Sequence, residues 1–133
     1  MAMTNTRGFS LLEILIAFAI LAISLTILIK IFSTGVSTAM LAQDYTNAVQ
    51  LAEGLMAKVG TELPLQVGVT EGSSYESYHW TIRIVPYLPN IDYNPKTLSA
   101  ELFKVSVQVM WDDDFFRQRQ FELVSLKLAN KVL

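Results

Sequence analysis

The chain has no cysteine in 133 residues, one histidine, four prolines and only 17% charged residues. Without cysteine there is no disulfide stapling, although an exported domain of this size often uses it, and no lipid-modified cysteine anchor. A net charge of -2 gives no basic surface on which nucleic acid would be a main partner. Neither a phosphate-binding glycine loop nor a serine-nucleophile motif occurs. The lone histidine, His79, has no nucleophile or orienting carboxylate at motif spacing, so it reads as a surface or edge residue rather than a catalytic base. No proline lies between Phe9 and Leu63, so nothing there breaks a helix.

What is present is apolar: 52% of the residues are hydrophobic. After Arg7-Gly8-Phe9-Ser10-Leu11-Leu12-Glu13, the run from Ile14 to Ile29 carries no charge. At about 1.5 Å per residue, Phe9 to Ile29 makes a helix of roughly 31 Å, enough for one bilayer crossing. A cleaved secretory signal would have a shorter apolar core followed by a small-residue site, whereas Ala17-Phe18-Ala19 lies mid-run. Arg7 and the α-amine favour a cytoplasmic N-terminus. Glu13 is then the residue that needs a reason, since an ionised group at bilayer depth costs on the order of 2.5–3.5 kcal/mol. The plainer account is a carboxylate at the membrane edge within reach of headgroup water. The sharper one gives it a buried cation as partner.

Gly8 immediately before an apolar span, with glutamate five residues later, resembles the class III leader of type IV pilins and pseudopilins. The resemblance implies that a prepilin peptidase removes residues 1–8 by cutting after Gly8 and that Phe9 becomes the N-methylated first residue. It also implies that Glu13 pairs with the N-terminal amine of a neighbouring subunit during assembly. Members of the major class commonly carry a helix proline where this chain has Lys30, so the resemblance is to a minor subunit, most like the I-type minor pseudopilin of type II secretion. The V-type minor pilin of type IV pili shares most of the pattern.

The rest of the chain is read from its periodicities. Val36, Ala39, Met40, Tyr45, Ala48, Val49, Ala52, Leu55, Met56 and Val59 recur at spacings of three and four, which predicts one long helix from about Ser10 to Val59, with the stripe from Tyr45 to Val59 as the surface on which a sheet packs. Gly60 is its stop, and Lys30 is placed to snorkel. Gly35 marks either a bend or a close packing point. Leu63 to Ser77 reads as a polar, glycine-containing loop with at most a short extended piece. Trp80, Ile82 and Ile84 alternate as one face of a strand ended by Pro86. The segment from Pro86 to Tyr93 and Pro95 is an apolar loop that either covers the sheet end or meets a partner. Phe103, Val105, Val107, Val109 and Trp111 form the buried face of a second strand. Asp112-Asp113-Asp114 then turns the chain into a partner strand over Phe116 to Leu128.

The expected fold is α+β and pilin-like: a long N-terminal helix whose second half packs on a small antiparallel sheet of three or more strands. The expected divisions are 1–8 leader, 9–30 transmembrane, 31–60 the periplasmic part of the helix, and 61–133 loop plus β domain. No cofactor is expected. Some pseudopilins bind calcium through acidic turns. Asp112 to Asp114, however, lack the alternate spacing and glycine of an EF-hand loop, and a solvated turn accounts for them, so no metal is expected.

The resemblance implies a structural, non-enzymatic subunit at the tip of a periplasmic pseudopilus that helps export folded proteins. Its partners would be the other minor pseudopilins, the major pseudopilin, the prepilin peptidase and methylase, inner-membrane lipid and the inner-membrane assembly platform. A minor pilin priming a type IV pilus is the alternative. A single-span membrane enzyme or receptor is a third reading, and it would need a convergent polar site that the sequence does not display.

Overall fold

The computed structural model describes residues 8–88, 100–113 and 116–130. One helix, α1 (Leu11–Lys58), precedes four strands: β1 (Gly68–Ser74), β2 (Tyr78–Pro86), β3 (Ala100–Asp112) and β4 (Gln118–Asn130). The strands form a single antiparallel sheet in the order β1-β2-β3-β4, a simple meander. The chain divides into two compact units, 1–40 and 41–133. The architecture is the expected α+β, pilin-like one, a long apolar N-terminal helix packed on an antiparallel sheet.

In the first unit the helix is exposed around its whole circumference, with Ile14, Phe18, Leu21, Leu25 and Leu28 all in the open. Such a surface calls for an apolar solvent or for neighbours. Within its apolar part Ser24 donates to the carbonyl of Ile20 and Thr26 to that of Ala22, both at 2.8 Å. Bonds of this kind let serine and threonine enter a lipid environment without leaving a polar group unpaired. The helix end expected at Val59 falls at Lys58, and Gly60 takes a φ of 91°, the left-handed conformation that terminates helices.

In the second unit Ala48, Ala52, Leu55 and Met56 of α1 lie against Ile82, Ile84, Phe103, Val105, Val107, Val109 and Trp111. The two alanines are fully buried. Their small side chains let the helix backbone come close to the sheet. Trp111 sits between Tyr45, edge-on at 4.9 Å, and Tyr78 at 5.8 Å.

Two expectations are corrected. The segment given as loop contains the seven-residue strand β1, which shows no alternation because it is an edge strand with mostly exposed side chains. It is held by backbone pairing to β2, with Gly72 opposite Trp80. A Cβ at Gly72 would overlap the indole ring of Trp80, so the glycine makes room for a cross-strand aromatic.

The second correction is at the β3–β4 turn. Asp113 is buried rather than solvated, and β4 begins two residues later than expected, at Gln118. The cause is a closed hairpin end. Asp113 N donates to Arg117 O at 2.9 Å, and the Asp113 carboxylate accepts from Arg117 N at 2.9 Å and from the Nε atoms of Arg117 and Arg119, each at 3.1 Å. Asp114 lies outside the described residues, as does most of the Pro86 to Pro95 loop.

Candidate functional site

The residues singled out in the sequence stand at the helix start. Gly8 and Phe9 are exposed, and no neighbouring atom approaches the position of a Cβ at Gly8. Ser10 is the N-cap of α1: its Oγ accepts from Glu13 N at 3.2 Å, and its carbonyl accepts from Ile14 N at 3.3 Å. Glu13 is therefore the third helical residue, and Ser10-Leu11-Leu12-Glu13 has the serine-to-glutamate spacing of a capping box. Sequence reasoning treated Glu13 only as a membrane or assembly carboxylate and overlooked this local part. The S-x-x-E spacing before an apolar run was the available signal.

The position also favours a negative charge physically. The first turn of a helix presents unpaired N–H groups and the positive end of the macrodipole, which stabilises a carboxylate there by typically 0.3–1 kcal/mol. That is less than the cost of bilayer depth, so the local geometry alone does not offset it.

Elsewhere the chemistry is sparse. His79 is exposed on β2. Among the described residues no three His, Asp or Glu side chains come together as a metal site. Asp113 is occupied by two arginines. The concavity of about 600 Å³ between α1 and the β1–β2 turn, lined by Asn47, Gln50, Gly54, Lys58, Tyr75 and Tyr78, brings no acid–base pair or nucleophile together.

The far end of the helix holds a contact that spacing could not reveal. Lys127 of β4 donates to the carbonyls of Met56 and Val59, supplying a cation to the negative end of α1.

The class follows from the fold and the helix start together. Residues 3–29 match the family described as the prokaryotic N-terminal methylation motif, a stretch that contains Gly8, Phe9 and Glu13. With the helix-on-sheet architecture, this makes the chain a pilin-like α+β protein carrying that motif. More particularly, it is similar to type II secretion system protein I of Xanthomonas campestris pv. campestris, with 37% identity over 86 residues. That match covers 64% of this chain and 62% of the relative, so the chain spans less than two thirds of the protein it resembles. No solved structure matches significantly. One N-terminal helix is long and apolar enough to cross a membrane, and with the motif it fits a single-pass inner-membrane component.

Proposed function

We propose that this protein is a minor pseudopilin of a type II secretion system, a structural subunit and not an enzyme, placed at the tip of the periplasmic pseudopilus that helps export folded proteins. The observation that carries this reading is the conjunction at the helix start: Gly8-Phe9, a serine cap, and Glu13 on an apolar helix, within a chain similar to a type II secretion protein I. The similarity favours secretion over the pilus-priming alternative.

In this reading residues 1–8 are the leader removed by the prepilin peptidase, and Phe9 becomes the methylated N-terminus. Residues 9–30 cross the inner membrane, with the N-terminus cytoplasmic. Residues 31–60 extend the helix into the periplasm, and 61–133 form the loop and β domain. The exposed apolar surface of the first unit is covered first by lipid and then by the helices of other minor pseudopilins and the major pseudopilin, at the inner-membrane assembly platform. Glu13 pairs with the N-terminal amine of a neighbour, so that the two charges neutralise each other away from water.

Intact mass of the protein from its native membrane, with and without the prepilin peptidase, tests this. The expected result is loss of Met1 to Gly8 and one added methyl group on Phe9 only when the peptidase is present. An unprocessed chain in both strains overturns it.

A further inference from the structure

The two edges of the sheet are built differently. The β1 edge is seven residues long, contains Gly68 and Gly72, and carries Glu71. A short, glycine-containing, charged edge is a poor template for another strand. The β4 edge is thirteen residues long, contains neither glycine nor proline, and pairs with β3 without a bulge from Gln118 to Asn130. Among the described residues nothing pairs with its outer side.

On the face of the sheet away from α1, β4 leaves Val124 47%, Leu126 49% and Leu128 72% exposed, an unbroken alternate stripe. On the same face Lys104 of β3 stands between Leu126 and Val85 of β2, so the apolar stripe is confined to the β4 edge. Lys127 of this edge strand lies on the opposite face and is held by the carbonyls of Met56 and Val59.

We infer that β4 is a docking edge that receives a strand from a different pilin-like subunit, one whose residues on the face away from α1 alternate apolar and include a lysine or arginine facing Glu122. The inference rests on the assembly reading above and gives it a surface. Main-chain pairing along a free edge supplies affinity, and the alternate side chains select the partner.

Glu122 identifies the occupant as another chain. It is the only charged residue on the outward face of β4, and none of the ion pairs among the described residues includes it. Residues directly opposite in paired strands share a face. A second copy adding its own β4 in the same facing therefore has no cation to set against Glu122, whatever the register. A copy turned over would offer Arg119 and Lys127, which are already engaged by Asp113 and by the helix carbonyls.

The absence of native cysteine is not needed for the test, which uses a photo-crosslinking phenylalanine analogue in the full chain in its native membranes. The analogue is placed at Leu126 or Leu128, with Val69 on the opposite edge as control. The expected result is a light-dependent adduct with another pilin-like polypeptide from Leu126 and Leu128, at least tenfold stronger than from Val69. Glu122→Lys should lower the adduct from Leu126 about tenfold, and Glu122→Gln should lower it less, since like charges facing each other repel.

No adduct, a product of twice the chain's own mass, an adduct with a polypeptide of another kind, or equal labelling from Val69 overturns the inference. Intact mass of the same sample separates the two ideas. A chain processed after Gly8 that gives no β4 adduct refutes the docking edge and leaves the assembly role standing. An unprocessed chain that still gives the adduct refutes the assembly role and leaves the edge standing.

Discussion

Lys127 of β4 reaches 71 residues back along the chain to place its Nζ 2.6 Å from the carbonyl oxygen of Met56 in the last turn of α1. The same ammonium serves the carbonyl of Val59 at 2.5 Å. Helix C-termini leave four carbonyls without intrahelical partners, and Gly60 and the Lys58–Leu63 turn satisfy only part of that need. The cation therefore ties the last strand to the helix end as well as capping it. Lys127→Met keeps the stem and removes the charge. It should lower stability by about 2 kcal/mol, the range for charged hydrogen bonds at a helix terminus, measured by urea unfolding of the full chain in detergent. An unchanged midpoint would mean the contact contributes nothing net.

Gly72 and Trp80 offer a test of packing across the β1–β2 pair. A methyl group at Gly72 has no room while the indole stands above it. Gly72→Ala should destabilise by about 1–3 kcal/mol, as overpacking does, and shift the tryptophan emission. In the double substitution with Trp80→Ala the penalty at position 72 should largely vanish, giving a coupling energy of opposite sign to the single loss. Additive effects would show that the two positions do not meet.

Asp113 was legible only as one of three aspartates in a turn, and its real role depends on groups four and six residues later. Asp113→Ala should cost roughly 2–3 kcal/mol. That is below the 3–5 of a fully buried pair, because the Arg117 side chain is 62% exposed. Its carboxylate already has two guanidinium partners, so millimolar calcium should leave the thermal midpoint of the native chain unchanged. A calcium-dependent rise of several degrees would show that the turn binds the ion.

How far sequence carried the fold follows from where hydrophobic periodicity exists. The alternation from Phe103 to Trp111 and the three-and-four spacing from Tyr45 to Val59 mark burial directly, and the structure buries most of those positions. β1 has no such pattern, because an edge strand such as Gly68–Ser74 is specified by backbone pairing and by the fit of Gly72 under Trp80. Long-range polar contacts leave no local trace either: nothing near Lys127 announces a helix end 71 residues away. At the helix start the motif was legible in full, while the capping part played by Ser10 was hidden behind the more unusual placement of Glu13.

The place of Glu13, at capping-box spacing from Ser10 and in the proposed ion pair with a neighbour, permits a test that separates the two. A capping box accepts glutamine as readily as glutamate at the third helical position, whereas an ion pair with a neighbour's amine requires the charge. Glu13→Gln should therefore leave helix content and leader removal unchanged while copurification with other subunits falls about tenfold or more. Equal recovery of those subunits would reduce Glu13 to a local cap.

Tyr78 gives the domain a pH dependence of definite sign. Its ring is buried beside Trp111, and its hydroxyl donates toward the carbonyl of Asp44 at 3.4 Å. Burial raises its pKa above the ordinary tyrosine value and the charge of Asp44 adds to the rise, while a hydrogen bond with Asn47 works against them. The folded state thus favours the neutral phenol. The stability linked to that preference is complete below the unfolded value of about pH 10 and is lost as pH climbs through the higher folded value, because the unfolded chain gives up the proton first. Urea midpoints measured between pH 8 and 11 should fall on the alkaline side for the native chain. Tyr78→Phe, which keeps the ring and removes the ionisable group, should flatten that fall while losing the hydrogen bond at every pH. Parallel slopes for the two proteins would assign the alkaline loss to other groups.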